Sequence, residues 1–588
     1  MASAPLQQID PRDYRIGRLF AQRIWRLVGP YWIRRGATGA WIAFITSVGL
    51  AGLSSLLLAG KTIVVKDLTD ALIARRADAF WYSLALFLIV IVGTALVGMS
   101  AQIIGAWLNQ NWRRWLTDDL VKKYLAKRTY YDITLTGGLD NPDQRIQESV
   151  APFVSAATEF PGSLLGQVTA MVTGAVILAT IDSRMVPFVI AFAIVQAAAA
   201  YAVQIPTIKK NYQITVAEAD LRYGVLHVRD HAEAIAFYGG EDVEYSQIMH
   251  RLRHAIKRQM SLLLFKATVV YGSGAIFSTT WEILPYFVLG PLYMSSKLTY
   301  GEIAQAMVAS SSIIVSLATM VQILPNLAVA APHAVRLAQI MERFESLGQT
   351  SANENAPQVA IERGGQDIRI SHLNLSTPAK EQMLIRNLTL TVSPAENLVI
   401  VGQTGVGKSS LLRAMAGLWT AGSGNIAMPP SAACMFLPQR PYMILADLRS
   451  QLLYPGDADD VSDSDLQAVL EAVNLPNLAS QYGGLSTVRD WEKVLSLGEQ
   501  QRIGFARMMI KKPAFVFLDE ATSAVDFVTE AMLYERLRES GATFVSVGHR
   551  LSILDYHAQM LTILTGGKWK LEKLSGQTAE ATAMFTEG

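Results

Sequence analysis

Six apolar runs fall within the first 330 residues of this 588-residue chain, at about 37–59, 80–108, 156–181, 185–205, 266–294 and 303–331. Each reaches the roughly 18–20 residues that a helix needs to cross the hydrocarbon core of a bilayer. A soluble all-helical core supplies one or two such runs, not six. The last two are the least clean, with Lys266, Glu282 and Gln305 inside them or at their edges. Composition agrees, since 51% of residues are hydrophobic and 17% charged, too apolar for an ordinary soluble enzyme. A formal net charge of +2 gives no electrostatic basis for a nucleic-acid partner. The single cysteine, Cys434, excludes an intramolecular disulfide framework and a cysteine-rich metal site, and reads as a buried apolar thiol.

The placement of Lys and Arg predicts orientation. Arg12, Arg15, Arg18, Arg23, Arg26, Arg34 and Arg35 precede the first run, mixed with Trp25, Tyr31 and Trp32, so residues 1–36 read as an interfacial helix on the cytoplasmic side. That run ends without a small-residue cleavage pattern and is expected to stay in the mature chain. An even number of spans returns the C-terminal half to the cytoplasm, where ATP is. Within a membrane domain at 37–335, the connections 109–155 and 206–265 read as polar helices projecting about 30–40 Å below the bilayer. The mixed-charge stretch 60–79 reads as an external loop. A polar linker is expected over 336–364, including "ESLGQTSANENAPQ", followed by an α/β domain over 365–588.

That last domain carries the chemistry. "VIVGQTGVGKSSLLRAM" places G-x-x-x-x-G-K-S between an apolar strand and a helix, the context that makes a phosphate loop credible. The ATP-binding loop is Gly402, Gln403, Thr404, Gly405, Val406, Gly407, Lys408, Ser409 and Ser410. Its glycines let backbone N–H groups wrap phosphates, Lys408 reaches the β/γ oxygens, and Ser409 reaches Mg²⁺. The strand Phe515–Leu518 delivers Asp519 to the metal shell and Glu520 to the attacking water. Gln439 in "FLPQRPYM" and His549 in "SVGHR" are the candidate sensors of metal and γ-phosphate.

Together these residues resemble the nucleotide-binding domain of ABC transporters over about 365–575, including the signature 495–502 and the "SAVD" loop 523–526. The resemblance implies an all-α six-helix transmembrane domain of exporter type followed by an α/β P-loop domain. It also implies that Ser496, Leu497, Gly498, Glu499 and Gln500 close on ATP held by a second copy of the chain, so that one chain with one of each motif works as a homodimer. Two departures stand out. Position 497 is Leu where most members have Gly, and between Ile361 and Val401 no aromatic offers an adenine platform.

In the membrane half, "LDNPDQRIQESV" (139–150) and "AEAIAFYGGEDVE" (232–244) are similar to stretches of the peroxisomal subfamily D half-transporters and of bacterial BacA/SbmA-like transporters with a fused ATPase. These turns would be coupling helices, with Arg145, Glu233 and Glu241 as polar contacts to the ATPase domains. Glu282, ionisable at membrane depth, is the candidate for a cargo cavity. The resemblance implies an ATP-driven pump of the bacterial inner membrane, with both termini cytoplasmic. Its cargo would be hydrophilic, such as a peptide (antimicrobial peptides included) or cobalamin, taken up from outside. The alternative is export or flipping of a lipid or fatty-acyl compound. An ATP-gated channel or regulatory membrane protein is disfavoured by the presence of Lys408, Glu520 and His549, and a soluble DNA-repair or translation ATPase by the six spans.

Overall fold

The computed structural model describes residues 18–136, 139, 141–350, 358–377, 382–456, 461–548 and 550–574, with side chains left out at 136, 322, 324–329 and 348–350. It divides into two compact units, Met1–Thr350 and Ser351–Gly588. Arg12, Arg15 and His549 lie outside the described residues.

The first unit is helical: α1 (Arg18–Ile33), α2 (Thr38–Ile73), α3 (Ala77–Leu125), α4 (Thr129–Thr136), α5 (Pro142–Ile181), α6 (Met185–Asp230), α7 (Ala232–Tyr238), α8 (Glu241–Phe265), α9 (Tyr271–Met294) and α10 (Tyr300–Thr350). Six of its helical stretches are long and apolar enough to cross a membrane. Several far exceed a bilayer. At about 1.5 Å per residue the 46 residues of α6 span about 69 Å, and α8 runs into α9 through one π-helical turn, Lys266–Val270.

Helical periodicity explains one of the cores. Leu108, Trp112, Leu116 and Leu120 recur every fourth residue on α3, all nearly inaccessible, so they share one face. Against that face pack Leu27 and Tyr31 of α1, Val150, Phe153 and Val154 of α5, and Leu337 and Ile340 of α10. Tyr31 stacks on Trp112 with centroids 4.8 Å apart, and the Arg34 guanidinium lies 4.2 Å from the Tyr31 ring centre. Arg23 donates to both carboxylate oxygens of Glu342, at 3.0 and 3.2 Å, pinning α1 to the tail of α10.

Two boundaries differ from the sequence reading. Residues 60–73, placed there in an external loop, continue α2. The segment lacks a helix breaker beyond Gly60, and its polar groups are used within the unit: Lys66 pairs with Glu302 at 3.3 Å, while Asp70 accepts from the Gly301 N–H at 2.9 Å and the Thr299 hydroxyl at 3.0 Å. Asp70 thus satisfies the first turn of α10 from another helix. Residues 336–350, placed in the linker, continue α10, because Leu337 and Ile340 are fully buried in the core just described.

The second unit is α/β. One sheet has strand order β1-β5-β2-β3, from β1 (Ala360–Arg363), β2 (Ile368–Ser376), β3 (Met383–Val392) and β5 (Gly422–Met428). The other has order β10-β9-β4-β8-β7-β6, from β4 (Leu398–Val401), β6 (Cys434–Leu437), β7 (Phe515–Asp519), β8 (Thr543–Val547), β9 (Gln559–Ile563) and β10 (Trp569–Lys573). Its β9, β4, β8, β7 and β6 pair in parallel. The central strands read as unbroken apolar runs because helices cover them, and β4 and β8 are buried along their whole length. Cys434 is buried at the start of β6, as a structural thiol.

Candidate functional site

The phosphate loop follows β4, Asp519 ends β7 with Glu520 just beyond it, Gln439 lies two residues past β6, and Gly548 follows β8. All four segments leave the carboxyl ends of parallel strands, where α/β sheets place their ligand sites. Gly402, Gly405 and Gly407 have φ of +147°, +85° and +109°, conformations that glycine adopts without a Cβ penalty and that suit a loop wrapping phosphates with its N–H groups. At Gly402 a Cβ would fall 2.3 Å from the Ile563 carbonyl oxygen, so no other residue fits. Gln403, Thr404 and Gly405 form the exposed crest, and Val406 and Ser410 are half-buried.

Lys408 is buried, and its Nζ donates to the Gly402 and Gln403 carbonyls at 2.7 and 2.9 Å, across the mouth of the loop. Burial lowers its pKa, while the Glu520 and Asp519 carboxylates act against that shift. The Ser409 hydroxyl donates to Asp519 Oδ1 at 2.8 Å. Burial raises the Asp519 carboxyl, and the Ser409 hydrogen bond opposes it. Gln439 Nε2 donates to Glu520 Oε2 at 2.9 Å. Glu520 has φ +51°, unusual for a side chain of that size, and its N–H is held by the Val547 carbonyl at 3.1 Å.

This donor set fits a magnesium nucleotide. The loop offers backbone N–H groups and one ammonium to phosphates, and a hydroxyl beside a carboxylate offers hard oxygen ligands to a divalent cation. No group of three or more His, Cys, Asp or Glu side chains forms a metal cage among the described residues. Mg²⁺ does not ask for one, since it usually takes one or two carboxylates and completes its shell with phosphate and water oxygens.

The signature opens the helix Leu497–Lys511. Ser496 is its N-cap in a capping box: Ser496 Oγ accepts from the Glu499 N–H at 3.3 Å, and the Ser496 N–H donates to Glu499 Oε2 at 2.8 Å. Ser496 is exposed and Leu497 half-buried. At Gly498 a Cβ would stand 2.7 Å from the Ala524 carbonyl oxygen, so this glycine lets the helix touch the 523–526 loop. Gln500 turns inward, donating to the Glu492 and Leu495 carbonyls at 3.0 and 2.9 Å, and does not share the exposed face of Ser496. Among the described residues no hydrogen bond joins the phosphate loop 402–410 to residues 495–500 of the same chain.

Gln501 lies within the signature 495–502, but sequence reasoning gave it no role of its own. Its side chain is 1% exposed, and Nε2 donates to the Gln439 carbonyl at 2.8 Å, the Ser523 hydroxyl at 3.1 Å and the Glu520 carbonyl at 3.4 Å. Its Oε1 accepts from the Ala524 N–H at 3.0 Å. One amide therefore ties the signature helix to the segments that carry Gln439 and Glu520. Its only sequence signal is a second glutamine beside Gln500. Arg550 supports the same loop, donating to the Val525 and Ser523 carbonyls at 2.9 and 3.0 Å while pairing with buried Glu530 at 3.4 Å.

In the membrane unit, α2, α3, α5 and α10 line an open cavity of about 1060 Å³. Fourteen of its 25 lining residues are polar, eight of them serine, so hydroxyl and amide groups are spread over a wall that also has Ala, Gly, Leu and Val. Asn109 spans its wall, donating to Ser155 Oγ at 3.0 Å and Thr158 Oγ1 at 3.2 Å. Glu282 does not line it. Its neighbour Trp281 is buried against Phe192, with ring centres 4.9 Å apart, and one step around α9 leaves Glu282 exposed elsewhere. The acidic residue that lines the cavity is Glu159. Ser155, Glu159, Ser163 and Gln167 recur at every fourth position, a polar stripe legible in the sequence.

Comparison with known proteins agrees with both units. Residues 37–294 match the family model "ABC transporter transmembrane region 2", and residues 385–523 match that of "ABC transporter". An ABC transporter ATP-binding protein of Synechocystis is 37% identical over 87% of this chain and 79% of its own length. The chloroplastic ABC transporter D family member 2 of Arabidopsis thaliana is 28% identical over 95% of this chain and 88% of its own. The human lysosomal cobalamin transporter ABCD4 is 27% identical over 95% and 97%. With six candidate spans in one unit and a nucleotide site in the other, the chain belongs to the ABC transporters: it is a half-transporter whose membrane domain is fused to an ATP-binding domain, with ATPase activity coupled to transport and subfamily D proteins among its homologues.

Proposed function

We propose that two copies of this chain form a homodimer in the bacterial inner membrane, with both termini cytoplasmic, and use ATP to take up a hydrophilic cargo such as a peptide or cobalamin. The observation that supports the cargo reading is the serine-rich cavity, whose lining offers hydroxyls, amides and one carboxylate to a hydrophilic cargo. The cobalamin arm has additional support from likeness to the human lysosomal cobalamin transporter. Dimerisation is supported by the separation, within one chain, of the phosphate loop from an exposed signature serine. A half-transporter carries one of each and needs a second copy to bring them together.

Within each site the loop N–H groups and Lys408 bind the β- and γ-phosphates, and Ser409 and Asp519 hold the cation, with Gln439 at its edge. A Mg²⁺ held there would supply neutralisation of phosphate charge. Glu520, steered by Gln439 and by its fixed backbone, orients the attacking water and accepts its proton. His549 contacts the γ-phosphate, and Ser496 with the N-terminus of its helix caps the nucleotide of the partner.

The test is ATPase stimulation in proteoliposomes by a panel of peptides, cobalamin and acyl-CoA. Stimulation by peptide or cobalamin with matching uptake supports the reading; stimulation by acyl-CoA alone overturns it in favour of lipid transport.

A further inference from the structure

Glu159 is the one charged side chain among the 25 that line the membrane cavity. It sits on α5 and is exposed to the cavity space. The groups facing that space from α2 and α10 are serines, from α3 amides, and from α5 itself Ser155, Thr158, Ser163 and Gln167. No Lys, Arg or His is among them, and Glu159 has no hydrogen-bond or ion-pair partner among the described residues.

A carboxylate within a membrane domain is costly unless water or a cation satisfies it. The surrounding hydroxyls and amides orient and solvate but do not neutralise. A chamber built for neutral cargo would be served as well by a glutamine, which fills the same volume and matches the remaining lining. Water hydrates the carboxylate in the open cavity, but no lining group of the same chain neutralises it, and a cargo that carries a cation would.

Resting on the transporter reading above, we infer that Glu159 is a specificity-determining residue that selects cargo bearing a protonated amine or a guanidinium. Its carboxylate pairs with that group while Asn109, Gln110 and the serines bond the rest of the cargo. This narrows hydrophilic cargo to cationic cargo and favours a basic peptide over a neutral one of the same length.

The experiment uses the full chain in nanodiscs with two dansylated pentapeptides, Gly-Lys-Ser-Lys-Gly and Gly-Gln-Ser-Gln-Gly, and reads equilibrium binding by fluorescence. The wild type is expected to bind the lysine peptide at least tenfold more tightly. Glu159→Gln should bring that ratio close to one, Glu159→Asp should keep most of it, and raised salt should shrink it in the wild type. Equal or absent binding of both peptides by the wild type overturns the assignment, as does a tenfold preference that survives in Glu159→Gln. Binding does not require turnover, so ATPase stimulation in the same nanodiscs judges the wider transport reading separately. A lysine preference that depends on Glu159 without stimulation upholds this site and counts against that reading.

Discussion

Replacing Gln501 by Leu keeps roughly the volume of a fully buried side chain and removes the amide that joins the signature helix to the catalytic segments. Three well-formed hydrogen bonds are lost, to the Gln439 carbonyl, the Ser523 hydroxyl and the Ala524 N–H, together with a longer one to the Glu520 carbonyl. At about 1 kcal/mol net for each good bond, the loss is about 3 kcal/mol. The 439 and 523–524 segments are exposed and recover part of their hydration, which brings the expected cost to about 2–3 kcal/mol. For a domain of this size that lowers the unfolding midpoint by about 5–10 °C. The kinetic effect is larger in proportion. Gln439 and Glu520 lose a common anchor, and a misplacement of about 1 Å at a reacting group costs on the order of 100-fold in rate. We expect kcat for ATP hydrolysis to fall at least tenfold while KM for ATP changes little, because the phosphate loop makes no bond to Gln501. Gln501→Glu, which keeps the acceptor for the Ala524 N–H but sets a buried carboxylate oxygen against the Gln439 and Glu520 carbonyls, should be at least as impaired as Gln501→Leu. Steady-state ATPase in nanodiscs, with nucleotide binding and thermal unfolding on the same samples, decides the matter. A Gln501→Leu protein that hydrolyses ATP within twofold of wild type would refute the reasoning.

Three further outcomes are expected. Glu520→Gln should bind ATP normally yet hydrolyse it on the order of 100-fold more slowly; hydrolysis near the wild-type rate would remove Glu520 from its role. Mixing Ser496→Arg chains with Lys408→Ala chains should restore part of the ATPase activity, because each heterodimer then has one composite site carrying both lesions and one intact; no recovery would place the whole site within one chain. His557 is buried, its Nδ1–H donating to the Ile553 carbonyl (2.7 Å) and its Nε2 accepting from the Ser546 hydroxyl (2.9 Å), and burial depresses its pKa to about 4 from the ordinary 6.5. Between those values the unfolded chain binds a proton that the folded domain excludes, so stability falls as pH drops from 6.5 toward 4, by up to about 3 kcal/mol. Denaturant titrations across that range should show a slope that flattens in His557→Gln.

The architecture is legible in the sequence wherever a local pattern carries it. Six apolar runs report the membrane unit, and the strand, glycine loop and helix around Lys408 report the nucleotide site, because each depends on residues adjacent in the chain. Helix ends are less legible. Lys66 and Asp70 look like loop charges until Glu302, Thr299 and Gly301 supply their partners from more than two hundred residues away. Leu337 and Ile340 sit in a stretch whose later residues are polar, and only the face offered by α3 and α5 shows why the helix persists. Gln501 is visible as a residue and invisible in its role, since its partners come from two separate segments, at Gln439 and over 520–524. Glu282 draws attention because a carboxylate in an apolar run is rare, but it is exposed and is not among the residues that line the cavity of α2, α3, α5 and α10. Glu159 hides in plainer company, and the fourfold spacing of its small polar neighbours is the cue that marks it.

The pairing of α2 with α10 constrains how the cavity between them changes shape. Asp70 closes the first turn of α10, Lys66 holds Glu302, and the helices are so close there that a Cβ at Gly301 would stand 2.5 Å from Asp70 Cγ and from the Lys66 carbonyl oxygen. That end behaves as a rivet. The cavity residues lie further along both helices, at Ser47–Leu58 on α2 and Val308–Ser316 on α10. Sliding the two helices apart as a pair would break every contact at the rivet, whereas swinging them about it breaks none. Admission and release of cargo are thus expected to be angular, a scissor motion whose amplitude grows with distance from Gly301, and a side chain introduced at that glycine would loosen the pivot rather than block the chamber.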